Sequence, residues 1–210
     1  MGGVFDATDL ASPGYYDPKQ TALLLLDFHT ALIEKMAGSK APAALETAVK
    51  LREWAKLKGI MVIHGLINVR LDPPPMSKNR EALMGVLNAM RNSGAEEPAE
   101  LLHNCARDEN TFTRTPGHIS ALTSPGIMEH LQKAGIRSLI VTGLSTSGCV
   151  SRTAFAATDM DFVVTTISDG CADPSQDIHD MLIEKSLPSR GYVLSAADFQ
   201  SGYPDTSRDN

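Results

Sequence analysis

A single cysteine in the stretch Leu139-Ile-Val-Thr-Gly-Leu-Ser-Thr-Ser-Gly-Cys-Val-Ser-Arg-Thr153 is the residue best placed for covalent chemistry. An apolar run ends at Gly143, small polar residues follow, and Cys149 stands where a helix opens. A helix N-terminus points backbone N–H groups outward and favours negative charge. A thiol held there is expected to ionise more easily than a free cysteine and to act as a nucleophile. The plainer alternative is a small buried cysteine. Asp27 closes a second apolar run in Leu24-Leu-Leu-Asp-Phe-His29. A carboxylate at the end of a buried strand is costly unless paired or functional, and beside a thiol it can accept a proton. A loop-fixing or capping role is the alternative for Asp27.

The elements that must position these groups alternate. Thr21 to Phe28 and Ile60 to His64 are short, nearly continuous apolar runs, as expected for strands buried on both faces of a parallel sheet. Between them, Ala43 to Lys58 has a helical apolar pattern stopped by Gly59. Lys78 to Met90 reads as a helix, and Glu109 to Arg114 as a short strand. Pro125 to Lys133 (helix), Ser138 to Thr142 (strand), Val150 to Asp159 (helix), Phe162 to Ser168 (strand), Ile178 to Ser186 (helix) and Gly191 to Leu194 (strand) complete the order. The pattern predicts an α/β fold, three-layer α/β/α, with a mostly parallel sheet of roughly six strands. Right-handed crossovers align the carboxyl ends of the strands on one edge, where Asp27, His64, Cys149 and Asp169 would fall. Residues 1–19 read as a turn-rich arm, 20–200 as one domain and 201–210 as a tail.

Composition narrows the partners. The chain has 210 residues, 42% of them hydrophobic and 21% charged, with a net charge of −6. That suits a globular domain with a small-molecule substrate, and argues against nucleic acid or an anionic membrane as partner. No apolar run is long enough for a membrane span, and the N-terminus lacks the pattern of a signal peptide. Three cysteines (Cys105, Cys149 and Cys171) have no metal-type spacing and fit a reducing cytoplasm. Cys105 and Cys171 read as buried small residues, and Asp169 and Asp173 as caps or sheet-edge anchors. No Gly-rich phosphate loop follows the first strand, so no nucleotide cofactor is expected. The Met-rich 76–90 region reads as a helix packed on a partner subunit or as a lid, in a homo-oligomer (dimer or tetramer).

Several motifs occur together and in order. Strand-end Asp27, Ser120-Ala121-Leu122, Gly143-Leu-Ser-Thr-Ser-Gly-Cys-Val150 followed by Arg152-Thr-Ala154, and Ile167-Ser-Asp-Gly-Cys-Ala-Asp173 resemble the isochorismatase-like cysteine hydrolases over roughly residues 20–197. The resemblance implies a six-stranded parallel sheet and an Asp-Lys-Cys triad in which the Cys attacks a carbonyl or related carbon. The Asp would move protons and the Lys stabilise charge. It also implies a cis peptide joining Leu144 to Ser145, turning the Ser145 and Cys149 N–H groups toward an oxyanion. A Cys nucleophile favours C–N bond hydrolysis through a thioester over the vinyl-ether chemistry of isochorismatases proper. That chemistry would need cations such as Arg70 or Arg152.

The sequence departs from the family pattern twice. Where the family's Lys is expected, the chain reads Thr111-Phe-Thr-Arg-Thr-Pro-Gly-His-Ile-Ser-Ala-Leu122, with no lysine. Arg114 is one substitute and supplies a fixed positive charge; His118 is the other and titrates near neutrality. The second departure concerns metal. The segment His64-Gly-Leu-Ile-Asn-Val-Arg70 lacks the His arrangement with which the family's nicotinamidases bind a divalent ion, so no metal is expected and His64 reads as a satisfied polar residue. His29, at a position where the family often carries Gln or Asn, is expected to line the substrate pocket with His118 and Leu144. The missing lysine keeps open a second reading, a member that has lost catalysis and binds a metabolite or protein.

Overall fold

A computed structural model describes residues 3–103 and 109–204. Cys105 and most of the segment set apart as a tail lie outside the described residues. Six strands, β1 (Thr21–Leu26), β2 (Met61–Ile67), β3 (Asn110–Arg114), β4 (Ser138–Leu144), β5 (Val163–Ala172) and β6 (Tyr192–Leu194), form one sheet in the order β3-β2-β1-β4-β5-β6. Every neighbouring pair is parallel. The helices are α1 (Thr30–Lys35), α2 (Ala41–Lys58), α3 (Arg80–Asn92), α4 (Ala99–Leu102), α5 (Ile127–Lys133), α6 (Ser151–Thr158), α7 (Gln176–Met181) and α8 (Ala196–Gly202).

Alternation along β1 divides the core. Leu23 and Leu25 face a cluster with α1, α2, α4 and α8, while Ala22, Leu24 and Leu26 face one with α5 and α6. Both sides of β1 are covered, which is why its sequence is a solid apolar run rather than an alternation. Helix α2 shows how such a layer is built. Pro42 sits in its first turn, Gly59 ends it in the left-handed conformation (φ 74°), and Ala41, Ala44, Ala48, Leu51 and Ala55 form its buried stripe. Arg52 lies in the same stripe.

The N-terminal arm packs on the domain: Phe5 meets Phe199 edge to face, with ring centres 5.5 Å apart. Tyr203, in the stretch set apart as a tail, is buried, and its hydroxyl lies 3.0 Å from that of Thr21.

The chain runs outward from β1 through β2 to β3, then crosses back to start again at β4 beside β1. The neighbours β1 and β4 are therefore the topological switch point, and the crevice at their carboxyl ends is where such sheets hold ligands. At that point the two strands come very close. Gly143 faces Leu26 with φ 146°, and a side chain there would collide with the Leu26 carbonyl.

Candidate active site

Asp27 follows β1 and breaks from strand geometry. Its φ is +54°, in the small left-handed region that Asp tolerates better than most side chains. Its N–H donates to the Gly65 carbonyl on β2 at 2.9 Å, and the residue is buried. A buried carboxylate needs a partner. Arg114, the last residue of β3, provides it: Nη1 and Nη2 donate to Oδ1 and Oδ2 at 2.8 and 2.5 Å. β3 is two strands from β1, and neighbouring strands are about 4.8 Å apart, so only a long side chain spans the gap. Arg114 Nε donates to the His118 carbonyl at 2.9 Å, which fixes the fork. Burial works against the guanidinium charge, but the negative charge of Asp27 outweighs it and holds Arg114 firmly protonated.

Cys149 lies in the first turn that leads into α6, in the crevice with Asp27, and is buried. The expected easy ionisation is not found. Burial, then the neighbouring Asp27 charge, push the thiol up to about 12, while Arg114 and a hydrogen bond from Thr153 pull it down and lose. Burial therefore favours the neutral thiol at Cys149.

The turn between β4 and α6 is anchored at several points. The Leu144–Ser145 peptide is cis. The Ser147 N–H donates to Asp173 Oδ2 at 2.7 Å, and Thr146 Oγ1 lies 2.8 Å from His179 Nδ1 on α7. Asp173 also accepts the Ser175 N–H at 3.1 Å, and Asp169 accepts the N–H of Ala196, the first residue of α8. Burial lowers the pKa of His179, favouring its neutral form.

The other expected site residues fall differently. The His118 side chain is exposed; its carbonyl, not its imidazole, serves the site, and Arg114 is the residue that reaches Asp27. His29 is buried and its ring is used up by backbone: Nδ1 lies 2.5 Å from the Ala95 carbonyl, and Nε2 accepts the Ile67 N–H at 3.3 Å. It stands 4.0 Å from Asp27 and ties the ends of β1 and β2 together. The Leu144 side chain is buried in the core cluster under α2, leaving its backbone to the site. Cys171 is buried, as expected, and burial raises its thiol to about 12.

His64 is satisfied, but by charges that the sequence did not reveal. Nδ1 lies 2.8 Å from Glu97 Oε1 and Nε2 3.2 Å from Glu109 Oε2. Burial alone would lower its pKa; the two carboxylates outweigh burial and raise it. Glu109 also takes two bonds from Arg52 and one from Lys56. Thr153 was missed as well. Its place four residues after Cys149 puts both on one helix face, a signal that was available. Arg52 and Glu109, 57 residues apart, offered none. Among the described residues, no group of three His, Cys, Asp or Glu is arranged to hold a metal ion, and no helix is long and apolar enough to cross a membrane. A hollow of about 690 Å³, lined by Tyr15, Tyr16, Asp17, Lys19 and Gly59, lies toward the amino ends of β1 and β2, away from the crevice.

Comparison with known proteins agrees with this fold. A maleamate amidohydrolase of Pseudomonas putida is 25% identical over 184 residues, 86% of this chain and 85% of that one. A protein of Arabidopsis thaliana named a probable inactive nicotinamidase is 25% identical over 175 residues, 77% of this chain and 85% of its own length. A solved cysteine hydrolase of Pseudomonas syringae pv. phaseolicola superposes with a TM-score of 0.73 at 16% identity, covering 89% of this chain and 93% of that one, a likeness of fold. Residues 21–198 match the isochorismatase domain, and with that match over most of its length the chain belongs to the isochorismatase family of hydrolases.

Proposed function

We propose that this protein is a cysteine hydrolase that cleaves a small amide or related C–N bond through a thioester on Cys149. The observation that carries the reading is the Asp27–Arg114 pair locked beside the Cys149 thiol at the switch point of the sheet. Arg114 occupies one lone pair on each Asp27 oxygen, which leaves others to accept a proton. Asp27 takes the thiol proton as the sulfur attacks the carbonyl carbon, so ionisation is coupled to attack rather than completed beforehand. The backbone N–H groups of Ser145 and Cys149 receive the oxyanion. Asp27 then returns the proton to the leaving nitrogen, the C–N bond breaks, and a thioester remains. Water adds to the thioester, giving its proton to Asp27, and the acid is released as the sulfur regains its hydrogen. Arg114 stays protonated throughout, so it stabilises charge and relays nothing. All proton traffic runs through Asp27, with no step assigned to a metal or cofactor.

The amidohydrolase among the relatives favours a small acid amide as substrate. The test is a panel of small amides, including maleamate and nicotinamide, assayed against wild type and Cys149→Ala. Turnover that disappears with the thiol is the expected result; amide turnover that persists would overturn the thioester route. The arginine in place of the family's lysine favours a second reading, a binding protein derived from a hydrolase. Tight binding of a panel compound with no thiol-dependent turnover would select it.

A further inference from the structure

The hydroxyl of Thr153, on α6, lies 3.7 Å from the Cys149 sulfur, and the residue is fully buried. Its oxygen accepts the Ala121 N–H at 2.9 Å. A hydroxyl has one hydrogen to give and two lone pairs. With water excluded and Ala121 acting as donor, the hydrogen needs an acceptor, and an unmade bond in a dry interior is costly. Among the described residues, the Cys149 sulfur is the other partner of this oxygen.

We infer that Thr153 is a catalytic residue: its hydroxyl, oriented by the Ala121 N–H, donates a hydrogen bond to the Cys149 sulfur and stabilises the charge that sulfur gains when Asp27 takes its proton. The inference rests on Cys149 being the nucleophile. Three observations converge on it. The i, i+4 spacing on one helix turn sets the hydroxyl over the sulfur. The β-branch of threonine restricts the side chain to few rotamers. The short turn Ala121–Thr123, held by Ser120 Oγ accepting the Leu122 N–H at 3.3 Å, fixes the donor that polarises the hydroxyl. A bond strengthened as charge develops stabilises the transition state more than the resting thiol. The chain Ala121 N–H, Thr153 O–H, Cys149 S–H and Asp27 thus links the segment after β3 to the nucleophile.

The test compares wild type, Thr153→Val, Thr153→Ala and Thr153→Ser by the rate at which iodoacetamide labels Cys149, with Cys149→Ala as the blank for the other two cysteines and thermal unfolding measured in parallel. Valine keeps the shape and removes the hydrogen; alanine serves if valine does not fold. The expected result is labelling roughly 3- to 10-fold slower in the valine or alanine variant at fixed pH. Serine should stay within about 2-fold of wild type, because it keeps the donor. Wild-type labelling rates in the valine or alanine variant, even with a lower melting temperature, overturn the inference and leave Thr153 a structural residue. Turnover surviving in Cys149→Ala would instead overturn the nucleophile reading itself.

Discussion

Among the described residues, two arginine–carboxylate pairs are buried, and they do different things. Arg114 forks onto Asp27 and Arg52 forks onto Glu109, each arginine only 2% exposed. In the second pair the carboxylate is crowded with cations: Lys56 and His64 also reach Glu109, and His64 reaches on to Glu97. In the first, the carboxylate faces a neutral thiol. The Arg52 cluster sits under α2, against the body of the sheet, and closes a scaffold. Through Glu97 it steadies a segment whose Gly94 and Glu96 carbonyls accept the Ala31 and Thr30 N–H groups, just beyond Asp27. A buried ion pair is therefore weak evidence of a site. What distinguishes Asp27 is a place beyond a strand end, a left-handed backbone, and a proton donor beside it rather than another cation.

Breaking each region in turn should separate these roles. The largest effect is expected from Cys149→Ala, which should lower amide turnover by at least about 10³-fold while the unfolding transition stays close to wild type. Arg114→Met should come next, reducing kcat/KM on the order of 100-fold and slowing Cys149 alkylation, because the charge opposing the raised thiol pKa is gone. Arg52→Met should do the reverse. Chemical denaturation should show a loss on the order of 3 kcal/mol, since Glu109 loses its main partner, with alkylation of the folded protein unchanged. Equal effects of the two arginine variants on alkylation would erase the comparison.

Two pH experiments sharpen it further. With the thiol at about 12, wild-type alkylation should keep rising with pH and not level off near neutrality. A plateau around neutral pH would mean that Arg114 and the helix terminus, not burial and Asp27, dominate the thiol. The smallest effect concerns His64. Its folded pKa is raised above the unfolded value of 6.5, so its contribution to stability is fully present below that value and is lost as pH climbs through the folded one. The gap in melting temperature between wild type and His64→Gln should be widest in mild acid and should narrow on the alkaline side. A gap that widens with pH would show that the ring is held neutral.

Much of the fold and part of the site were legible in the residues. The apolar run before Asp27 and the run before Gly143 marked buried strands, and the polar turn after each put Asp27 and Cys149 on the same edge. Element ends were less legible: β2 runs on to Ile67 and β5 to Ala172, because hydrogen bonding to neighbouring strands carries them past their apolar stretches. Between the two substitutes for lysine, reach decided. Arg114 ends β3 with its side chain turned inward, while the turn Thr115–His118 sends the imidazole to solvent.

What the sequence determined by itself was what depends on near neighbours along the chain: the alternation of strand and helix, the division of apolar faces, and the strand-end positions of an acid and a thiol. These follow from periodicity and turn chemistry, which operate over a few residues. The tertiary structure alone decided which charges pair. It joined Arg114 to Asp27 across β2, gave Glu109 to Arg52, set the Ala121 N–H against Thr153, and buried the Cys149 thiol, which pushes its pKa up. The reason is electrostatic. Burial and the distance between charges set the strength of each pairing, and both arise only when strands distant in sequence lie side by side.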